Sequence, residues 1–191
     1  MTVTLESIQT AAVTIRGEVV RTPNVRSGPL SDATGAEIFL KLETLQRTGS
    51  FKDRGAFVKL KSVPQEGVKG VIAISAGNHA QGVAYHAQRL GIPATIVMPK
   101  VTPFTKIVRT RDFGARVVLK GESVSDGKPF ADEIAAAEEL VFVHPYEDPD
   151  IVSGQGTIGL EISKIFRTWT PSSSLSAAAV SSPELRWRRK N

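Results

Sequence analysis

The sequence predicts an α/β fold in which an open, parallel, twisted β-sheet carries helices on both faces. Short apolar segments alternate with longer helical ones, with strands predicted at 70–75, 94–98, 115–119 and 141–143 and helices at 78–90, 103–113 and 124–140. Two of these helices end at glycines, Gly91 and Gly114, the residue type that most often follows a helix. Apolar strands separated by helices of this length are typical of a parallel sheet buried between helices.

The elements before this alternation are less regular. Apolar residues at helical spacing predict a helix over residues 5–20, which the Thr22-Pro23 step should break. A short strand is predicted at 38–42 and a helix at 50–62. Because ligands of open parallel sheets bind at the carboxyl ends of the strands, the loop after Ser75 is the first place to look for a site.

Composition narrows the class of protein. The chain has 191 residues, is 41% hydrophobic and has no cysteine, so neither disulfides nor a thiolate metal site can form. No apolar run approaches the roughly 18 residues of a membrane span, and the first 14 residues lack a signal-peptide pattern. We therefore expect a cytoplasmic protein. The formal net charge is +5, but four of these charges lie in residues 167–191, which argues against a nucleic-acid-binding body.

Two segments carry candidate chemistry. A lysine whose amine is neutral can form an imine with an aldehyde, and Lys52 follows an apolar Phe51 at a predicted loop-to-helix junction. Residues 75–79, SAGNH, join a buried strand to a helix, whose first backbone N–H groups can bind an anion. Taken singly, each segment fits a plainer interpretation, a solvated helix lysine or an ordinary helix cap.

Taken together and in this order, GSFKDRGA at 49–56 and SAGNHAQG at 75–82 resemble the serine/threonine dehydratase (threonine ammonia-lyase) family of pyridoxal-phosphate enzymes. That family has the tryptophan-synthase-β-like fold, also called fold type II. The similarity continues through TP at 22–23, LKLE at 40–43, IVMP at 96–99 and GQGTI at 154–158. It covers roughly residues 5–165, and it implies a lyase of amino-acid metabolism that forms 2-oxobutanoate or pyruvate plus ammonia.

The resemblance also implies roles for individual residues. Lys52 would form the imine with the cofactor aldehyde and later remove the substrate Cα proton. Phe51 would lie against the cofactor, and Asn78 would bond its phenolic oxygen. The substrate carboxylate would be held by Ser75, Ala76, Gly77, Asn78 and His79. Complete relatives are commonly homo-oligomers, and no spacing of His, Asp or Glu suggests a metal.

Two further histidines and a set of basic residues are conspicuous in the sequence but are not expected to be catalytic. His86 lies inside a predicted helix, where it is packed or solvated, and His144, before Pro145 at a strand end, is a minor candidate for the edge of the cleft. Lys106, Arg109 and Arg111 are expected to form a solvated helix face.

The resemblance stops near residue 165. The family continues with a strand and a glycine-rich loop that cradles the cofactor phosphate, whereas residues 171–191 read PSSSLSAAAVSSPELRWRRKN. Written in G/C-rich codons and read two bases later, this stretch gives VVVPVGGGGLISGVAVAAK, which suggests a frameshifted and truncated chain. We predict an N-terminal part of the large domain at 1–50, an intact small domain at 51–149, the start of the returning large domain at 150–166, and an aberrant, disordered tail at 167–191.

A half-built large domain predicts poor solubility or stability, weak or no cofactor binding and no turnover for this chain. Within the family, serine racemase and threonine synthase are the alternative activities. Racemases of this kind resemble the loop with a serine at position 76, and Ala76 lacks that proton donor. A different class of alternative is a non-catalytic fragment, either a defunct gene product or an interaction module. A basic tail of this kind could bind an acidic partner or nucleic acid.

Overall fold

The computed structural model describes residues 2–64 and 67–165. The helices are α1 (Leu5–Thr14), α2 (Gly28–Thr34), α3 (Lys52–Ser62), α4 (Asn78–Leu90), α5 (Phe104–Asp112), α6 (Val124–Glu138) and α7 (Pro149–Ile165). The strands are β1 (Asn24–Arg26), β2 (Phe39–Lys41), β3 (Val71–Ile74), β4 (Ala94–Met98), β5 (Arg116–Leu119) and β6 (Val141–Phe142). The predicted tail, 167–191, lies outside the described residues.

The predicted parallel sheet is confirmed. Its strand order is β5-β4-β3-β6, and every pairing in it is parallel. Strands β3 and β4 are buried along their whole length, as apolar strands between two helical layers should be. From β3 the chain runs through β4 to β5 on one side and then crosses back through α6 to place β6 on the other side of β3. In open parallel sheets, ligands bind at the carboxyl ends of the strands near such a change of direction.

Helices cover both faces of the sheet, also as predicted. On one face Val71 and Ala73 of β3 pack in a cluster with residues of α3, α4 and α5. On the other face Ile72 and Ile74 pack with Ala131 of α6. This division follows from the strand itself, since successive side chains point to opposite faces.

The N-terminal helix is shorter than predicted. It ends at Thr14, and the chain turns at Gly17, whose φ of +78° is incompatible with a continuing right-handed helix. Ile15 is buried and Val19 partly buried beside Ala11, so the apolar spacing reflects packing of the turn as well as of the helix.

Strand β1 and helix α2 were not predicted. Strand β1 pairs antiparallel with β2, the short strand predicted at 38–42, and α2 lies between them in the chain. With three residues, β1 is too short for a period-two pattern to be distinguished. Helix α7 packs against α1 and α3, and Lys41 at the end of β2 pairs with Glu161 of α7. The division into domains at residues 50 and 149 stays a prediction.

Candidate active site

Lys52 is the first residue of α3, and its side chain points into the region beyond the end of β6. Its Nζ atom donates a hydrogen bond to the backbone carbonyl of Pro145 at 2.7 Å and lies 5.3 Å from the centre of the Phe51 ring. The side chain is half-buried, and this burial lowers the pKa of the amine below its ordinary value. A larger fraction of the amine is therefore neutral, which is the form that reacts with an aldehyde.

The turn between β3 and α4 brings the second motif to the carboxyl edge of the sheet. The N–H of Ser75 bonds to the carbonyl of Val97, and the Ser75 hydroxyl accepts from the N–H of Gly77 at 3.1 Å. In the described residues no side chain caps the start of α4, and its first turn has no acidic residue. A Cβ on Gly77 would meet no described heavy atom within 4 Å, so the backbone here faces open space. Both features suit the approach of an anion.

A close helix contact brings the two motifs together. A Cβ on Gly82 of α4 would lie only 3.3 Å from the backbone oxygen of Lys52 and 3.4 Å from the Cβ of Ala56. A side chain at position 82 would press on the backbone of Lys52, so the glycine lets α4 pack directly on the first turn of α3. The lysine and the anion-binding turn are thus fixed relative to each other by backbone packing, which is more rigid than a contact between long side chains.

His79 is buried, with only 3% of its surface exposed. Its Nε2 atom lies 3.1 Å from the carbonyl of Val143, while its Nδ1 atom has no hydrogen-bond partner among the described residues. Burial is the main cause that lowers its pKa to about 4, with a smaller contribution from the charge of Lys52. The ring is therefore neutral near pH 7, and the carbonyl oxygen requires the hydrogen to be on Nε2.

The sequence did not predict the side-chain hydrogen bonds that hold the turn before Lys52. The buried carboxylate of Asp53 accepts from the backbone N–H of Thr48 at 3.1 Å and from the Thr48 hydroxyl. Burial raises the pKa of Asp53, with the hydrogen bonds from Thr48 opposing that rise. The Ser50 hydroxyl accepts from the N–H of Lys52 at 3.2 Å. These polar residues belong to the lysine motif or lie next to it, but their spacing in the sequence does not predict which of them bond to each other.

Other predicted residues are placed as follows. His86 is packed, with its ring against Phe57 and Tyr85, and burial lowers its pKa to about 3. His144 lies directly before Pro145, whose carbonyl accepts the hydrogen bond from Lys52. It is therefore one residue away from a direct contact of the lysine.

The described residues offer neither a metal site nor a membrane span. No group of three or more His, Cys, Asp or Glu in residues 2–64 and 67–165 could hold a metal ion. Within the same ranges, none of the helices has the length and apolar character that crossing a bilayer demands.

Comparison with known proteins identifies the class. Residues 15–181 match the family of pyridoxal-phosphate dependent enzymes, and the chain belongs to that family. Over 161 residues it is 52% identical to the L-threonine ammonia-lyase of Thermotoga maritima, covering 84% of this chain and 40% of that protein. It is 47% identical to the catabolic L-threonine dehydratase TdcB of Escherichia coli K12, covering 84% of this chain and 49% of that protein.

Solved structures agree with the fold. The structure of a threonine deaminase from T.th. matches with a TM-score of 0.78 at 40% identity, over 84% of this chain and 51% of that one. A maize serine racemase matches with a TM-score of 0.83 at 32% identity, over 87% and 51%. The predicted family and its cofactor class are thereby confirmed. The chain spans less than half the length of the curated relatives given above.

Proposed function

We propose that this chain is the lysine-bearing part of a pyridoxal-phosphate-dependent ammonia-lyase that converts threonine or serine to 2-oxobutanoate or pyruvate and ammonia. The single observation that carries the proposal is the Lys52 amine, which is half-buried with a lowered pKa and belongs to a helix start whose backbone packs against α4 at Gly82. The names of the relatives support the substrate class. Such a reaction serves amino-acid metabolism, either isoleucine biosynthesis or threonine catabolism.

The residues around Lys52 fit the cofactor. The amine would hold its aldehyde carbon, the Phe51 ring, already near Nζ, would lie against it, and Asn78, at the start of α4, would bond its phenolic oxygen. The cofactor, when bound, supplies an electron sink for the electrons left on the substrate Cα. The protein's own contribution is to hold the reacting groups in place and to exclude water.

The turn at residues 75–79 would bind the substrate carboxylate. The backbone around Ala76 and Gly77 faces open space at an uncapped helix start, and the Ser75 hydroxyl lies beside it. His79 would act indirectly, since a neutral ring that donates to Val143 cannot also donate to a carboxylate. We assign it the task of holding the end of β6.

Lys52 would also serve as the general base. An amine whose pKa is lowered toward neutrality can both accept the Cα proton and return it. The net reaction is redox-neutral, because the water lost across Cα and Cβ is regained when the carbon–nitrogen bond is hydrolysed. No metal is needed to balance it.

Serine racemase is the second candidate, because racemase structures match the fold as closely as the deaminases do. Ala76 argues against it, since a methyl group cannot deliver a proton to the face opposite Lys52. The higher identities belong to proteins named for threonine deamination. Threonine synthase and a non-catalytic fragment stay as further alternatives.

Covalent capture tests the proposal on the 191-residue chain. Pyridoxal phosphate is added, borohydride fixes any imine, and mass spectrometry maps the modified lysines. We expect selective modification of Lys52 and its loss in Lys52→Arg, with Lys61→Arg, an exposed lysine of the same helix, as the matched control. Modification spread over exposed lysines, and unaffected by Lys52→Arg, would contradict the proposal.

Turnover by the chain alone is a separate question. The lack of activity predicted from the sequence stays a prediction, and assays for 2-oxobutanoate from threonine and for D-serine from L-serine check it. The former product would support the lyase, and the latter alone would favour the racemase. The homo-oligomer and the cytoplasmic location also stay predictions.

A further inference from the structure

The loop between β6 and α7 is folded around the imidazole ring of its own His144. The Nδ1 atom of this ring accepts the backbone N–H of Glu147 at 2.8 Å and that of Tyr146 at 3.4 Å. A nitrogen that accepts two N–H groups must be unprotonated, so in the neutral ring the hydrogen is on Nε2. That atom lies 3.5 Å from a carboxylate oxygen of Glu147, which suits a donor.

The same turn carries the carbonyl that meets the lysine. Pro145 lies between His144 and Tyr146, and its oxygen accepts from Lys52 Nζ at 2.7 Å. The two amides that bond to His144 belong to the next two residues. The direction of the Pro145 carbonyl is therefore determined by the geometry of a turn that His144 closes.

Both ends of the turn are anchored to the rest of the molecule. Before it, Val143 donates its N–H to Ile72 of β3, and its carbonyl lies 3.1 Å from Nε2 of His79. After it, the Asp148 carboxylate accepts from the N–H of Asp150 at 2.9 Å and pairs with Lys59 at 2.7 Å. With both ends fixed, the hydrogen bonds of His144 set the path of the chain between them.

We propose that His144 is a positioning residue, whose unprotonated Nδ1 atom shapes the turn so that the Pro145 carbonyl faces the amine of Lys52. Its significance for catalysis rests on the proposed function of Lys52. A direct catalytic role fits less well, because Nδ1 is occupied by two amides and Nε2 lies nearest to the Glu147 carboxylate, at 3.5 Å. The ring is further held edge-on to Tyr146, with 4.7 Å between centroids.

Three substitutions distinguish the role of the Nδ1 acceptor from a role of side-chain volume alone. In His144→Asn the side-chain oxygen takes nearly the place of Nδ1, and asparagine closes such turns by accepting amides two or three residues on. His144→Gln carries the same amide one carbon farther out, and His144→Ala has no acceptor. Asparagine and glutamine thus form a matched pair that differs only in where the acceptor lies.

The first readout needs no cofactor. Amide hydrogen exchange of Tyr146 and Glu147 is measured on the full chain for each variant. We expect His144→Asn to keep the protection of the wild type, and His144→Gln and His144→Ala to lose about five- to tenfold, the effect of a lost hydrogen bond. Equal protection in the Asn and Gln variants would overturn the proposal, even if the Ala variant fails to fold.

A second readout is the ring itself. The chain has three histidines, so the ¹⁵N NMR signals of their rings can be assigned by substitution. We expect the ring of His144 at pH 8 to carry its hydrogen on Nε2. A hydrogen on Nδ1 would overturn the proposal without any variant.

The third readout connects the turn to Lys52. The rate of pyridoxal-phosphate capture at Lys52, fixed with borohydride, should change severalfold in the Gln variant and be kept in the Asn variant. An unchanged rate in all variants would overturn the positioning role. If the wild type shows no capture at Lys52 while exchange still follows the Asn and Gln pattern, the proposed function fails and the turn assignment stands.

Discussion

Arg54 and Glu43 are joined by two parallel hydrogen bonds in a fully buried position, 2.9 Å from Nε to Oε2 and 2.8 Å from Nη2 to Oε1. Arg54 has 0% of its surface exposed, and its other edge bonds Glu161 of α7 at 2.7 Å. Burial alone would lower the pKa of Arg54, but the hydrogen bonds to the two carboxylates raise it. Lys41 completes the cluster through a 2.5 Å contact with Glu161.

Substitution of Arg54 by lysine should be strongly destabilising. A lysine cannot reproduce the planar fork. Glu43 would keep its bonds from Thr22 and Gln46 but lose both from the guanidinium, and Oε1 of Glu161 would lose its Arg54 donor. Breaking this buried ion cluster should cost about 3–5 kcal/mol in the free energy of unfolding. Arg116→Lys is the matched control, because its pair with Glu138 is exposed and should change stability by less than about 1 kcal/mol. Urea unfolding measures both, and similar losses would contradict the special role of the buried cluster.

Two glycines of α7 should respond oppositely to alanine. A Cβ on Gly154 would lie 2.5 Å from the Cα of Gly55 in α3, so overpacking should cost about 1–3 kcal/mol. A Cβ on Gly159 would meet no described heavy atom within 4 Å, so Gly159→Ala should stabilise the helix by up to about 1 kcal/mol. If both substitutions change the free energy of unfolding in the same direction, the predicted contact between α7 and α3 at Gly154 is wrong.

Acid should destabilise the protein through two buried histidines. The folded-state pKa values of His79 and His86 are lowered to about 4 and about 3, below the 6.5 of an unfolded histidine. Between these values the unfolded chain binds more protons, so stability is present above pH 6.5 and is lost as pH falls. From pH 7 to pH 5 each histidine should cost about 2 kcal/mol.

His86→Gln isolates one of these two contributions. Glutamine does not titrate, so the loss of unfolding free energy between pH 7 and pH 5 should be about half that of the wild type. Asp53, whose pKa is raised, acts in the opposite direction, and its carboxylate lies 3.9 Å from His86 Nε2. The comparison is therefore made in an Asp53→Asn background, which removes this coupled contribution. A pH dependence identical to that of the wild type would refute the assignment of a buried neutral ring.

The lowered pKa of Lys52 predicts unusual reactivity without any cofactor. Acetic anhydride labels neutral amines, so the Lys52 labelling rate should rise at lower pH in the folded chain than in the chain unfolded by urea. Mass spectrometry of the peptide carrying Lys52 gives both curves. A folded-state curve at the same or higher pH would contradict the burial of the amine.

The sheet could be predicted because its signals are local. The apolar run at 94–98 and the helix at 78–90 have in the structure the bounds that the sequence predicted. The turn at Gly17 and the three-residue strand β1 could not be read in this way, since one turn residue or a short pairing is decided by tertiary contacts.

The candidate site likewise contains features that the sequence predicts and features that it does not. The two motifs that contain Lys52 and Asn78 were found from their residues, and their nearness depends on Gly82, which was part of the motif. The carbonyl of Pro145 could not be found, because every residue has a backbone carbonyl and this one is 93 positions away from Lys52. The pairing of Arg54 with Glu161 could not be predicted either, because the two residues are 107 positions apart in the sequence.

The link from Lys52 to Pro145 has a consequence for the order of events during synthesis. Chains fold from the N-terminal end as they emerge, and contacts between distant residues are slow to form. The lysine leaves the ribosome early, but the wall opposite its amine does not exist until β6 has docked beside β3. A nascent chain therefore exposes an ordinary, protonated lysine to the surrounding solution, and the amine gains its reactivity only when the enclosure that buries it has formed.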